Sequence, residues 1–171
     1  MPTSLAGHCA LRHWDGIYVV GSHEIDDLQV YLFNITTSTW TTFESRIPQG
    51  LFIKSRRDFA CSFNQDKSRI YVSGGRIENG ETTSDFLAFE LSSKSWVRLQ
   101  SSLQPRAGHV MTSYRGLPTI VGGVDSLDHS LVSMESYLEE VNEWRLLSDQ
   151  LTNGRKNFRV TRVPSSYLPE I

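Results

Sequence analysis

Three tryptophans set the tightest constraint on this chain, because each sits in the same frame of surrounding residues. Trp40, Trp96 and Trp144 each follow an aromatic seven positions earlier: Phe33, Phe89 and Tyr137. Upstream of each aromatic comes a short apolar run that ends in glycine, at Gly21, at Gly74-Gly75 and at Gly122-Gly123. From the first glycine to the Trp is 19, 22 and 22 residues. Earlier again stand Gly7-His8-Cys9, Phe59-Ala60-Cys61 and Gly108-His109-Val110, while Arg57, Arg106 and Arg155 recur at intervals of 49. Five features held in register across three copies define an internal repeat of 48–56 residues, and a period in that range signals a repeated architecture.

Each copy reads as strands. Short apolar runs rich in Val, Ile, Tyr and Phe, bounded by Gly, Asp, Asn and Ser, are strand signals. In the second copy the predicted strands are 58–63, 69–73, 86–90 and 95–99, with 64–68 as the first turn. The first copy turns at Asp15-Gly16 and the third at Arg115-Gly116. Residues 134–147 come nearest to a helical pattern, but Tyr137 and Trp144 belong to the repeat. A four-stranded unit of this size cannot bury both faces alone, so it must stack on its neighbours. Radial stacking of twisted sheets leaves only short, protected edges and predicts an all-β propeller. The glycines then permit positive φ and close approach of a neighbouring segment, and each Trp with its aromatic fills the space between blades.

The order of apolar run, Gly-Gly, aromatic, six residues and Trp resembles the kelch repeat, over about residues 4–163. Two departures stand out: Gly21 is followed by Ser22, and Phe takes the usual Tyr place at 33 and 89. The resemblance implies a partial kelch propeller of three four-stranded blades (about 4–46, 57–100 and 106–148). An extra C-terminal strand at about 155–163 follows, because Arg155-Lys156-Asn157-Phe158 aligns with the stretch beginning at Arg106. Propellers have 4–8 blades. Three blades and a strand therefore predict either missing blades from a longer kelch protein, the favoured reading, or self-association to close the ring.

Composition removes several function classes. Seventeen Lys+Arg against nineteen Asp+Glu gives a net charge of -2, which argues against binding nucleic acid through bulk charge. No apolar run approaches the roughly 18–20 residues that span a bilayer, and the N-terminus lacks the charge and apolar segment of a secretory signal. Two cysteines are too few for a disulfide scaffold or a cysteine-based zinc site. A reduced, cytoplasmic protein is the expectation. Cys9 and Cys61 are assigned to matching positions on inner strands of successive blades, which predicts two buried thiols and no bond between them. His8, His13, His23, His109 and His129 show no metal-ligand spacing, so neither metal nor cofactor is expected. There is no Gly-x-Ser-x-Gly, no P-loop and no catalytic residue to nominate. Asn34-Ile35-Thr36 matches a glycosylation sequon and is read as a hairpin turn before Trp40.

The functional candidates lie in loops at the blade ends, where recognition residues ride on rigid scaffolds. These loops are 22–27, 76–83 and 124–129, together with the approaches to the inner strands. Partner-binding candidates are Arg56, Arg57, Arg76, Arg106, Arg155 and Lys156, whose charge suits acidic peptide side chains. Arg57, Arg106 and Arg155 are assigned to the repeat itself, where the alternative role is to hold loops by hydrogen bonds. The resemblance implies a non-catalytic protein-interaction module, in its specific form a substrate-recruiting adaptor of a cullin-type ubiquitin ligase. Its alternatives are an actin-binding kelch protein and a kelch-propeller enzyme such as a sugar epimerase.

Overall fold

The computed structural model describes residues 5, 7–22, 27–44, 47–49, 51 and 53–161, so His23 and the ends of the expected first blade and final strand lie outside the described residues. Fourteen strands and no helix occur among them. One sheet runs β1 (Cys9–Arg12), β2 (Gly16–Gly21), β3 (Gln29–Asn34), β4 (Thr39–Phe43). A two-residue strand β5 (Arg56–Arg57) precedes the second blade and pairs with β8 (Arg76–Ile77). The second blade itself is β6 (Ala60–Phe63), β7 (Arg69–Ser73), β9 (Phe86–Glu90), β10 (Ser95–Leu99). The third is β11 (Val110–Tyr114), β12 (Leu117–Val121), β13 (Met134–Leu138), β14 (Glu143–Leu146). All pairings are antiparallel, and the inner strands β1, β6 and β11 lie side by side.

Local chemistry sets the hairpins. Arg115 and Gly116 both take positive φ, 52° and 84°, the two-residue turn whose twist matches the flanking strands. In the first blade the turn is Trp14-Asp15, one residue earlier than the sequence suggests. Gly16 already pairs with Asn34 in β2, and His13 and Gly16 exchange backbone hydrogen bonds of 2.9 and 3.3 Å. The five-residue turn between β6 and β7 is closed by Asn64, whose Oδ1 accepts from the Arg69 amide at 2.9 Å.

The seven-residue spacing is a cross-strand register. Phe33 pairs with Trp40, Phe89 with Trp96 and Tyr137 with Trp144 across the outermost hairpin of each blade. The ring centroids lie 5.1, 5.2 and 5.4 Å apart. Phe89 and Trp96 pack with Tyr18, Val20 and Val30 of the first blade. Tyr137 and Trp144 pack with Tyr71, Phe86 and Ala88 of the second. Each aromatic pair therefore seals its own blade onto the preceding one. Trp96 is fully buried and Trp144 is 7% exposed, whereas Trp40, with no described blade in front of it, is only half-buried.

One residue of register separates the second copy from its neighbours. Val20, Ser73 and Val121 are matched positions, each immediately before the first glycine that ends the run, and their partners on the inner strands are Cys9, Ala60 and Val110. Cys61 stands one residue further on, opposite Val72. Successive side chains of a strand point to opposite faces. Cys9 therefore faces the second blade, and Cys61 faces the first. The expectation of two separate thiols is overturned: Cys9 and Cys61 form a disulfide between β1 and β6, with Cα atoms 6.1 Å apart.

The C-terminal segment departs from the expected lone strand. Among the described residues, 155–161 belong to no sheet. An inner strand needs a second strand of its own blade to pair with, and none follows within these residues. The segment docks on the third blade instead, with the Asn157 amide donating to Gly108 O at 2.8 Å and Gly123 N donating to Arg155 O at 2.8 Å.

Burial at the two junctions predicts unequal costs. Trp96→Ala is expected to lose about 3–5 kcal/mol, enough to unfold a protein of ordinary stability, and Trp40→Ala clearly less. Urea denaturation curves for both variants check this; equal losses would count against the assigned packing.

Candidate interaction site at the glycine end

The second and third strands of each blade are joined at the same end at which the inner strands begin, so two sets of loops share one face. Both glycine pairs open their loops with positive φ: Gly74 60°, Gly75 100°, Gly122 64° and Gly123 92°. A side chain has no room there. A Cβ on Gly75 would lie 2.8 Å from Arg57 O and 2.9 Å from the Phe59 Cβ, and one on Gly123 would lie 2.7 Å from Ala107 O and 2.8 Å from the His109 Cβ. The second glycine of each pair also reaches the segment that follows its blade. Gly75 N donates to Arg106 O at 2.9 Å, the counterpart of the Gly123–Arg155 bond. Gly21 sits at the matching place in the first blade but with ordinary φ, and Ser22 follows it, buried.

Two arginines brace this face from inside. Arg56 NH1 donates to Gly74 O at 3.4 Å and NH2 to Asp85 Oδ2 at 3.2 Å. Arg106 NH1 donates to Gly122 O at 2.8 Å, and its NH2 pairs with Glu135. Glu135 Oε2 in turn accepts from the Leu103 amide at 2.8 Å, tying the loop between the second and third blades to β13. Burial lowers the pKa of both guanidinium groups, opposed in each case by the carboxylate beside it. These are charge-assisted bonds in a dry setting, where removing one partner strands the other.

The same face carries charge outward. Arg57 lies opposite Arg76 in the β5–β8 pair, and its side chain is 67% exposed. Arg76 is paired with the exposed Asp128, and Lys156 Nζ stands 3.9 Å from the same carboxylate. Arg155 and Lys156 are exposed, as are Lys54 and Arg159 nearby in sequence.

Known proteins were compared with this chain. The KLHDC2/KLHL20/DRC7 kelch-repeats domain matches residues 7–161. The chain belongs to the kelch-repeat family. An alpha-scruin of Limulus polyphemus is 30% identical over 86 residues, 47% of this chain and 9% of that protein. Kelch-like protein 41a of Danio rerio is 28% identical over 80 residues, 47% of this chain and 13% of that protein. The solved structure of YjhT superposes with a TM-score of 0.72 at 15% identity, covering 91% of this chain and 54% of that one. The chain thus spans a small part of its curated relatives and about half of the YjhT structure.

Within the kelch frame, the structure sorts the six sequence candidates into two groups. Arg56 and Arg106 are buried and committed to the loops, which removes them from the surface a partner meets. Arg57, Arg155, Lys156 and, partly, Arg76 remain at the face. The 49-residue spacing assigned Arg57 to the repeat, but the register places Arg56 at the position of Arg106 and leaves Arg57 outside. Sequence reasoning missed Asp85 and Glu135, which hold the buried arginines, and Asp128, which clamps Arg76 and Lys156. The first two stand at different places in their repeats, so no periodic signal marks them. Among the described residues no three His, Cys, Asp or Glu side chains are grouped as a metal site needs.

His109 links this site to pH. It follows the positive-φ Gly108 as Phe59 follows the positive-φ Asp58, and it packs against the glycines of two blades: a Cβ on Gly74 would meet its Cε1 at 2.9 Å. Neither ring nitrogen has a hydrogen-bond partner among the described residues. Burial, with the charge of Arg106 adding to it, pushes its pKa down to about 3. Below about pH 6.5 the unfolded chain therefore takes up a proton that the folded one refuses, and stability falls by about 1.4 kcal/mol per pH unit from this group until pH 3. Above pH 6.5 the group contributes no slope. His109→Phe, the residue at the matching position 59, is expected to flatten the dependence of melting temperature on pH between 6.5 and 3. Parallel profiles for the two proteins would contradict the assignment.

Proposed function

We propose that this chain is a non-catalytic protein-recognition module that grips an acidic peptide segment with the glycine end of its blades. The observation carrying this reading is the division of labour among the basic residues. Buried Arg56 and Arg106 stiffen the loops, while Arg57, Arg155 and Lys156 stand exposed at the same end. A rigid platform lowers the ordering cost of binding, and arginine forks favour carboxylates through paired hydrogen bonds.

The arc works as part of a closed ring. Trp40 and Phe33 present a half-buried aromatic pair on the side where the second and third blades each receive a neighbour, and among the described residues Arg155 has no counterpart to the carboxylates that hold Arg56 and Arg106. Coverage of only 54% of YjhT supports the same view. Further blades of a longer kelch protein complete the ring in this reading; pairing of two copies is the alternative.

The specific role we favour is substrate recruitment for a cullin-type ubiquitin ligase, supported by the kinship with a kelch-like protein. An actin-binding role is the second reading, and co-sedimentation with filaments distinguishes it. The test of the site uses synthetic peptides rich in Asp and Glu, with fluorescence anisotropy as the readout. Arg57→Glu with Lys156→Glu is expected to weaken binding at least about tenfold, to abolish its salt dependence and to leave the melting temperature within a few degrees. Unchanged affinity, or no binding of any acidic peptide by the unaltered chain, would sink the reading.

A further inference from the structure

We propose that the Cys9–Cys61 bridge is a thiol-exchange site, a reversible covalent tie between the first two blades that opens to a dithiol reductant and closes with oxidised glutathione. Three observations carry this beyond the bond itself, and none depends on what the glycine end binds.

The first is placement. The bridge joins two inner strands, β1 and β6, the elements through which these blades approach each other most closely, across a sequence separation of 52. Neither strand pairs with the other by backbone hydrogen bonds, because each is the edge of its own sheet. The second is access. A groove of about 450 Å³ runs along the inner strands and is lined by His8, Cys9, Ala60, Cys61 and His109. Cys9 is partly buried in that groove, more accessible than the buried Cys61. An attacking thiolate therefore meets the Cys9 sulfur. The third is what the bridge spares the fold. The buried neighbours of the pair are apolar side chains of the shared core, among them Tyr18, Val20, Ile70 and Val72, so both the bridged and the thiol forms fit the same site as small apolar groups.

The chemistry balances in two steps. A thiolate of the dithiol attacks Cys9 Sγ, a mixed disulfide forms there, and the Cys9–Cys61 bond breaks with its electron pair leaving on Cys61 Sγ, which takes up a proton. The second thiolate of the reductant then attacks its own sulfur in the mixed disulfide and releases Cys9 as a thiolate, which is protonated in turn. Two electrons and two protons pass from the dithiol to the protein, and the reductant leaves as a disulfide. With oxidised glutathione the Cys9 thiolate attacks one glutathione sulfur and releases the other glutathione as a thiolate, and the Cys61 thiolate then attacks Cys9 Sγ, closes the bridge and releases the second glutathione, each released thiolate taking up a proton. In a reducing compartment the pair rests as thiols and reports oxidation by locking the first blade to the second.

The test equilibrates the purified chain in buffers of graded reduced and oxidised glutathione, quenches with acid and alkylates free thiols before mass spectrometry. The expected result is a two-state titration between no alkylated cysteine and two, with any trapped glutathione on Cys9. Hydrogen exchange in the same samples is expected to rise at least about tenfold in β1 and β2 on reduction, with β12 and β13 unchanged. Cys9→Ser is expected to show the fast exchange under all conditions. No alkylatable cysteine at every glutathione ratio, two at every ratio, glutathione trapped on Cys61, or exchange in β1 and β2 that ignores the redox state would each overturn the proposal. Should Cys9→Ser fail to fold, the wild-type series alone decides.

Discussion

A backbone amide that leaves its own blade governs this arc. Gly75 turns its N–H toward Arg106 O at the entry of the third blade, at 2.9 Å, and Gly123 turns its own toward Arg155 O of the segment beyond that blade, at 2.8 Å. A buried amide without an acceptor is costly, so the position of the next blade is fixed by the need to supply one. A second series of bonds runs parallel to it, from Gly108 N to Asp58 O at 2.7 Å and from Asn157 N to Gly108 O. Glycine at the clasp is a steric requirement, since the next atom beyond a Cβ at Gly75 or Gly123 is a backbone carbonyl less than 3 Å away.

What the clasp positions, the aromatic pairs fill and the arginines hold. Phe86 is the clearest joint, with Tyr137 and Trp144 of the next blade meeting it edge-on at 4.7 and 4.8 Å. At the loop end the guanidinium of Arg106 takes up the carbonyl of Gly122 and the carboxylate of Glu135 at once, so one buried cation closes a loop, a strand and an inter-blade connection. Stiff loops on a repeated frame leave Arg57, Arg155 and Lys156 as the exposed cations of this face.

Much of this was legible in the order of residues. The Phe–Trp and Tyr–Trp spacing is a direct consequence of a hairpin, so it reported the outer strands of every blade, and β7, β9 and β10 run over the residues that the pattern marks. The errors share one origin. The turn between β6 and β7 is five residues long against two in the third blade, so aligning the second copy by its arginines at 49-residue intervals shifts its inner strand by one. A shift of one reverses the face of every side chain in a strand. That single slip exchanged Arg57 for Arg56 as the buried brace and placed Cys9 and Cys61 on the same face, hiding the bond between them. The partners Asp85, Glu135 and Asp128 were invisible for another reason: each is recruited by geometry at its own blade, not by the repeat.

The fold thus supplies a clasped, braced face with free positive charge, built from a family frame that recurs in protein recognition. At its centre, glycine amides tie the second blade to the third and the third to the segment that follows it. Amide hydrogen exchange resolved by NMR at Gly75 and Gly123 tests it most directly. Both amides are expected to be protected to the same degree as the central strands β7 and β12, because opening Gly75 separates the second and third blades and opening Gly123 undocks the segment at Arg155 from the third blade. Exchange at the rate of an exposed loop at both positions, with the strands still protected, would contradict it.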